Sequence, residues 1–254
     1  MELCVGPRIG DSVLADCRVD QIANEGNVMP VFAGLDCYSY PGDATLAWLK
    51  ANTNLVFCGY YLGPSPSHHD TSWMGKQASM VAAGWGIAPV YLGQQTIPPG
   101  SLNPSTATGQ VDGQQAAGYM ASEGFPAGSY VYLDLENGPP LSQPQQDYVV
   151  AWSAAVAAGG YSAGVYCSHL MAAQVAALQV AKRIWAFKIP GQQLPLTSPY
   201  PEVDPGGSGF PAHIWQLAQN YTIQTSSDAS TKLEVDLNSA LSADPSAPDV
   251  AVAS

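Results

Sequence analysis

Eight short apolar runs, separated by helical patterns, constrain the fold of this 254-residue chain more than any other feature. The runs are GLDCYSY (34–40), LVFCGYYLG (55–63), IAPVYLG (87–93), YVYLDLE (130–136), AGVYCS (163–168), RIWAFKI (183–189), HIWQLAQ (213–219) and LEVDLN (233–238). Strands that alternate with helices are typical of βα units and a parallel sheet, and eight strands are the number that closes a barrel. The sequence therefore predicts an α/β fold, a single (β/α)8 TIM-like barrel.

Five segments between these runs have the apolar spacing of amphipathic helices, with apolar side chains at i, i+3 and i+4. They are DATLAWLKA (43–51), SWMGKQASMVAAG (72–84), GQQAAGYMASEG (113–124), QPQQDYVVAWSAAVAAGG (143–160) and HLMAAQVAALQ (169–179). The segment at 191–211, after the sixth run, is rich in proline and glycine and predicts a long loop. We therefore expect the barrel to be irregular after strands 6 and 7.

The pattern divides the chain into three parts. Residues 33–240 are expected to form the barrel, residues 1–32 an N-terminal extension packed on it, and residues 241–254 a polar C-terminal tail. Three of the five cysteines stand in apolar runs, where cysteine behaves as a small buried hydrophobe. Cys4 and Cys17 are the candidates for a disulfide, and their spacing leaves the pairing open.

Charge and hydropathy exclude two classes of partner. Eight Lys plus Arg against 20 Asp plus Glu give a formal net charge of -12, so no basic surface is available for nucleic acid. No apolar run approaches the roughly 18 residues that a spanning helix needs, so no membrane insertion is expected. The start MELCVGPRIG lacks the basic and apolar regions of a secretory signal.

Two acids interrupt the apolar run YVYLDLEN. Asp134 and Glu136 are two residues apart, so they project from the same face of the strand with Cα atoms about 6.6 Å apart. They stand at the C-terminal end of the strand, where barrel enzymes assemble their sites. Asp36 in the first run and Asp236 in the eighth have comparable positions. We therefore expect four acids to converge on one mouth of the barrel.

A single Asp at a strand end is more often a loop hydrogen bonder than a functional residue. Burying several unpaired carboxylates costs several kcal/mol, however, so the repeated placement favours function. Clustered carboxylates either bind a hard metal ion or transfer protons across a glycosidic bond. Like-charge proximity and desolvation would keep one of them protonated, as a general acid requires. Glu136, at the outer end, could reach a leaving oxygen, and Asp134 could orient it.

The sequence resembles a known family at these same strands. GLDCYSY, YLDLEN, IWQ and EVDLN match in order and spacing the strand motifs of glycoside hydrolase family 25, the lysozyme-like muramidases. GLDCYSYPG, FCGYYLGP and GWGIAPVYLGQQ resemble even more strongly the glycoside-hydrolase-like domain of unknown function 1906. The resemblance covers about residues 33–240.

The resemblance implies cleavage of peptidoglycan or a related N-acetylated glycan. It makes Glu136, Asp134 and Asp36 the candidate catalytic residues, with Glu136 as the general acid. Asp134 would polarise the substrate's N-acetyl group or assist a nucleophile, and Asp36 and Asp236 would shape the sugar subsite. Retention through the neighbouring N-acetyl group is one route compatible with an acid pair on one strand.

Several side chains near the strand ends are candidates for sugar binding, because aromatic rings stack on sugar faces. With Asp236, the candidates are Tyr38, Tyr60, Tyr61, Trp215 and Gln216. Tyr60 and Tyr61 are adjacent, so only one of them can face the lumen. His68, His69 and Asp70 lack a third ligand at zinc spacing and predict a solvated loop, so neither a metal nor a cofactor is expected.

We expect an enzyme, a glycoside hydrolase whose partner is a polysaccharide, acting as a monomer. Because its substrate class lies outside the cytoplasm, we expect an extracytoplasmic location (secreted, periplasmic or cell wall). The chain would reach it by a route without a recognisable N-terminal signal. Two alternatives stay open at this stage: a cell-envelope module that binds glycan without cleaving it, and a metal-dependent hydrolase that uses the same acids.

Overall fold

A computed structural model describes residues 30–95, 103–191, 195, 197–228 and 230–249. Its eight strands form a closed barrel in sequence order. The strands are β1 (Phe32–Asp36), β2 (Leu55–Tyr61), β3 (Gly86–Leu92), β4 (Tyr130–Leu135), β5 (Ser162–Ser168), β6 (Arg183–Phe187), β7 (Ile214–Gln224) and β8 (Lys232–Ala240). The helices are α1 (Asp43–Asn52), α2 (Gln77–Ala82), α3 (Thr106–Ser122), α4 (Gln143–Ala158) and α5 (His169–Ala177), with a 3-10 turn at Pro205–Ser208. The predicted α/β barrel is confirmed.

The predicted irregularity after strands 6 and 7 is confirmed as well. Strands β1 to β7 pair in parallel with one another in sequence order, but β8 is antiparallel to both β7 and β1. Among the described residues between β6 and β7, Pro205–Ser208 form a 3-10 turn, and β7 pairs with β8 as a long hairpin. An antiparallel pair needs only a short turn, which is why no helix is required between the last two strands.

Side-chain alternation along the strands divides the buried residues into two layers. One layer fills the lumen and includes Phe57, Tyr132, Trp185 and Ile214. The other lies between the barrel and its helices. Helices α3 and α4 approach especially closely in this outer layer, because Gly113 faces the α4 backbone. A Cβ at Gly113 would lie 2.5 Å from the Trp152 carbonyl oxygen.

The described part of the C-terminal segment closes the end of the barrel opposite the acids. The Pro245 carbonyl accepts hydrogen bonds from the Tyr132 hydroxyl at 3.1 Å and from Arg183 Nη1 at 2.9 Å. The Ser246 carbonyl accepts from the Tyr130 N–H at 2.8 Å. Asp249 forms an ion pair with Arg183 at 2.7 Å. Residues 245–249 of the predicted polar tail therefore pair with the floor of the barrel.

Most of the predicted N-terminal extension, residues 1–29, lies outside the described residues, and so does the candidate Cys4–Cys17 pair. Cys37, Cys58 and Cys167 are free thiols, and the last two are buried. Within the described ranges, no helix has the length and apolar character needed to cross a bilayer.

Candidate active site

The four predicted acids meet at one end of the barrel. Asp36 is the last residue of β1, Asp134 lies near the end of β4, and Glu136 follows that strand directly. Asp236 reaches the same level from the opposite direction, because β8 is antiparallel and places Asp236 in register with Asp36. All four carboxyls line a single cavity at the C-terminal ends of the parallel strands.

Two hydrogen-bond donors hold the Asp36 carboxylate, and a glycine on the neighbouring strand leaves room for it. The Tyr61 hydroxyl donates to Asp36 Oδ1 at 2.7 Å, and Asn238 Nδ2 donates to Oδ2 at 2.7 Å. Trp185 Nε1 donates to Asn238 Oδ1 at 2.9 Å, which fixes the orientation of that amide. Gly59 leaves the space that Asp36 fills, since a Cβ there would lie 2.5 Å from the Asp36 Cβ.

Asp236 is held from the neighbouring strand. Gln216 Nε2 donates to Asp236 Oδ2 at 2.7 Å, and the Asn220 N–H donates to Oδ1 at 2.8 Å. Asn220 has a φ of 52°, within an irregular stretch of the β7–β8 ladder between Ala218 and Tyr221. A residue with positive φ there turns the backbone N–H towards the carboxylate.

The acid pair of β4 shares one side chain. Gln95 Nε2 donates to the Asp134 carbonyl oxygen at 2.8 Å and lies 3.4 Å from Asp134 Oδ1. Gln95 Oε1 accepts from the Glu136 N–H at 3.2 Å. Asp134 is buried, whereas Glu136 is exposed at the rim.

Burial raises the pKa of every acid in this cluster. Burial is the largest cause of the raised pKa of Asp36, at about 6, and of Asp236, at about 7; the charge of Glu136 adds to both. The pKa of Asp134 is raised well above its ordinary value by burial and by the charges of Glu136 and Asp36. Burial also raises the pKa of Glu136. Among the described residues that line the cavity, none is Lys or Arg. The cluster therefore retains protons towards neutral pH.

A sequence family described as the Rv2525c-like, glycoside hydrolase-like domain matches residues 47–240. The chain belongs to this family. The match confirms the resemblance to a glycoside-hydrolase-like domain that the strand motifs indicated. No curated protein matches the sequence significantly.

Solved structures share the fold of this glycoside hydrolase-like domain. An uncharacterised Bacillus stearothermophilus protein has 18% identity and a TM-score of 0.58, with 82% of this chain and 94% of that chain covered. The Mycobacterium tuberculosis Tat-secreted protein Rv2525c has 14% identity and a TM-score of 0.56, covering 85% and 96%. A Streptomyces coelicolor lysozyme has 16% identity and a TM-score of 0.53, covering 82% and 90%. At these identities the likeness establishes the barrel fold.

Four of the six candidate sugar-binding side chains lie at the mouth, Asp236 among them. Tyr61 lines the cavity and Gln216 bonds Asp236. Tyr38, with 55% of its surface exposed, lines a second cleft that adjoins the cavity and shares Asp36 and Asp236 with it.

Tyr60 and Trp215, by contrast, are buried in the outer layer, behind the barrel wall. Tyr60 is fully buried, donates to the Glu123 carboxylate and packs 5.8 Å from the Trp73 ring. Trp215 Nε1 donates to the Lys188 carbonyl oxygen at 2.8 Å, outside the lumen. Each stands next to a residue that does face the lumen, and strand alternation sends neighbours to opposite faces.

The loop after β2 is less solvated than its sequence predicts. His68 is fully buried, with its ring 4.4 Å from that of Tyr38 and 5.2 Å from that of Tyr61. Asp70 accepts from the Ser39 hydroxyl. No group of three or more His, Cys, Asp or Glu side chains within the described ranges is arranged to hold a metal ion.

Sequence reasoning missed three residues of the cavity wall and its support, namely Gln95, Tyr166 and Asn238. Tyr166 and Trp185 line the cavity, with ring centroids 5.4 Å apart. Asn238 stands two residues beyond Asp236, so alternation along β8 could have identified it. Gln95 lies three residues past the end of β3, so the alternation of side chains along a strand could not predict its direction.

Proposed function

We propose that this protein is a glycoside hydrolase that cleaves peptidoglycan or a related N-acetylated glycan. One observation carries the proposal: four carboxyls surround a single cavity, burial raises the pKa of each, and neighbouring charges raise those of Asp36, Asp134 and Asp236 further. Such a cluster can hold a proton for a leaving group while other members stay ionised. That combination is what glycoside cleavage by a carboxyl pair requires.

Glu136 is the general acid in this proposal. It stands at the rim, more exposed than Asp134, and its pKa is raised by burial. The Glu136 carboxyl gives its proton to the glycosidic oxygen as the bond from that oxygen to the anomeric carbon breaks. The resulting carboxylate can then take a proton from the water that completes hydrolysis.

Asp134 assists from the same strand. The two acids project to the same side, with Cα atoms about 6.6 Å apart, so they meet the sugar from one direction. This arrangement favours attack on the anomeric carbon by the oxygen of the substrate's own N-acetyl group, which Asp134 would polarise. Asp36 and Asp236, across the mouth, would hold the sugar ring together with Tyr38, Tyr61 and Gln216.

The proposed substrate implies a location and a partner. The partner would be a polysaccharide, and the protein would act outside the cytoplasm as a monomer. Membership of a glycoside hydrolase-like family supports a glycan ligand. The Mycobacterium tuberculosis neighbour is a Tat-secreted protein, which is consistent with an extracytoplasmic role for this chain.

Release of reducing ends from purified peptidoglycan and from N-acetylglucosamine oligomers tests the proposal. Glu136→Gln keeps the shape of the side chain but removes the transferable proton, so activity should fall on the order of 10²-fold or more. Glu202→Gln is the matched control, because Glu202 is exposed in the loop before β7. Equal activity of wild type and Glu136→Gln would refute the role of Glu136. Tight glycan binding by an inactive wild type would instead support the binding-module alternative.

A further inference from the structure

Gln95 lies between the two acids of β4 and uses both ends of its side-chain amide. The side chain is 5% exposed. Its Oε1 accepts from the Glu136 N–H, and its Nε2 donates to the Asp134 carbonyl and approaches Oδ1. A backbone N–H can only donate, so the amide oxygen must face Glu136. The NH2 group is therefore obliged to face Asp134.

We propose that Gln95 is a positioning residue that holds the two acids of β4 in a fixed relative position and favours the charged form of Asp134. An amide N–H stabilises the charged form of a carboxyl to which it donates. The acids Glu136 and Asp36 act in the opposite sense, since their charges favour protonation of Asp134. Gln95 is the side chain whose hydrogen bond opposes them.

The other titratable groups that face Asp134 are neutral near pH 7. They are Tyr61 on β2 and Tyr166 and Cys167 on β5, and burial raises the pKa of each. Their protonated forms carry no charge that could favour the Asp134 carboxylate. Within the described residues, the charge state of Asp134 is thus decided by two acids, burial and the amide of Gln95.

A hydrogen-bond network fixes Gln95 before any ligand binds. The Gln95 N–H donates to the Gly93 carbonyl at 3.0 Å, and the Ser67 hydroxyl donates to the same carbonyl at 2.8 Å. The preceding residue points away from the lumen: Gln94 Nε2 donates to buried Asp112 at 2.9 Å. Tyr148 donates to the same carboxylate at 2.7 Å. The chain is therefore anchored on helices α3 and α4 immediately before Gln95.

Carboxyl carbon NMR titration of Asp134 tests the inference without requiring turnover. The Asp134 signal is assigned by its loss in Asp134→Asn. Gln95→Met has similar length but lacks both hydrogen bonds, so Asp134 should titrate at higher pH. Gln95→Glu keeps the acceptor for the Glu136 N–H but replaces the donor with a charge, so the titration should move further in the same direction. Gln143→Met, an exposed site on α4, should leave it unchanged.

Kinetics separate this inference from the proposed function, on which its catalytic consequence rests. Displacement of Asp134 should lower kcat of Gln95→Met on the order of 10²-fold with little change in KM, and should raise the acid limb of the pH profile. Unchanged Asp134 titration in both Gln95 variants overturns the inference, whatever happens to activity. If wild type cleaves no glycan while the titration moves as expected, the proposed function fails and the positioning role of Gln95 stands.

Discussion

Asp36 and Asp236 are register partners on two strands that run in opposite directions. Directly paired residues have Cβ atoms about 4.5–5.5 Å apart, so the two carboxyls interact strongly. The pKa of Asp236 is about 7, raised first by burial and then by the charge of Asp36. The two acids therefore titrate as a coupled pair, so the protonation of one changes the pKa of the other.

Replacing one member of this pair should change the titration of the other. Asp36→Asn removes the like charge but keeps the side-chain shape, so the pKa of Asp236 should fall below about 7. NMR titration of the Asp236 carboxyl measures the change. Asp147→Asn, on the exposed face of α4, is the control and should leave Asp236 where it is. An unmoved pKa of Asp236 in Asp36→Asn would show that the charge of Asp36 does not raise it.

The cluster should make the folded protein less stable as pH rises through neutrality. The folded-state pKa values of Asp36 and Asp236, about 6 and about 7, exceed the unfolded value of about 3.9. The folded state then binds more protons, so its stability is greatest below pH 4 for these groups and is lost as pH rises through 6 and 7. Urea unfolding of wild type and Asp236→Asn at pH 5 and pH 8 tests this. The variant should lose less stability between the two pH values, by on the order of 2 kcal/mol; identical losses would contradict the assignment.

Asn238 should contribute to both stability and acid position. Asn238→Leu leaves Trp185 Nε1 without its acceptor and Asp36 without one donor, and both groups are buried. An unsatisfied buried polar group costs about 1–3 kcal/mol, so the free energy of unfolding should fall by at least that amount. Asn52→Leu at the exposed end of α1 should change it by less than about 0.5 kcal/mol. Similar effects of the two substitutions in urea unfolding would refute the bridging role.

Two Gly→Ala substitutions should have opposite effects. Gly59→Ala places a Cβ 2.5 Å from the Asp36 Cβ, so it should displace the acid, reduce activity and destabilise the fold by about 1–3 kcal/mol. Gly118→Ala, on α3, meets no atom within 4 Å and should stabilise the helix by about 0.5–1 kcal/mol. Thermal unfolding of both variants measures the contrast. A neutral Gly59→Ala would mean that Asp36 is not confined by β2.

The period-two pattern predicted the barrel and the level of the acids, because buried strands must send alternate side chains to the lumen. It could not predict the direction of β8, since an alternating run reads the same in either direction. The pattern also did not show which alternate residues of β2 and β7 point into the lumen. Tyr60 and Tyr61 were therefore both candidates, as were Trp215 and Gln216, although each pair has one residue on either face.

Helix α3 shows another limit of pattern reading. Its apolar spacing predicts a start near Gly113, whereas the helix begins at Thr106. Ser105 caps it by accepting from the Thr108 N–H at 3.2 Å. Gly109 and Gly113 then pack directly on the backbone of α4. Glycine has no side chain, so this contact does not appear in a pattern of apolar side chains. Gln95 was missed for a related reason, since its role depends on atoms of β4 that lie about 40 residues away in the sequence.

Closure of the barrel floor has a consequence for how the chain folds during synthesis. Ser246 donates to the Ile87 carbonyl at 2.7 Å and accepts from the Tyr130 N–H, while β1 finds its second neighbour only in β8. These pairings join residues more than 100 positions apart, and such distant contacts form slowly. Until translation has passed β8, strands β1 to β7 can therefore form at most an open sheet. During that interval β1 has a free edge, and we expect nascent chains to depend on a chaperone or on rapid elongation to avoid pairing with one another.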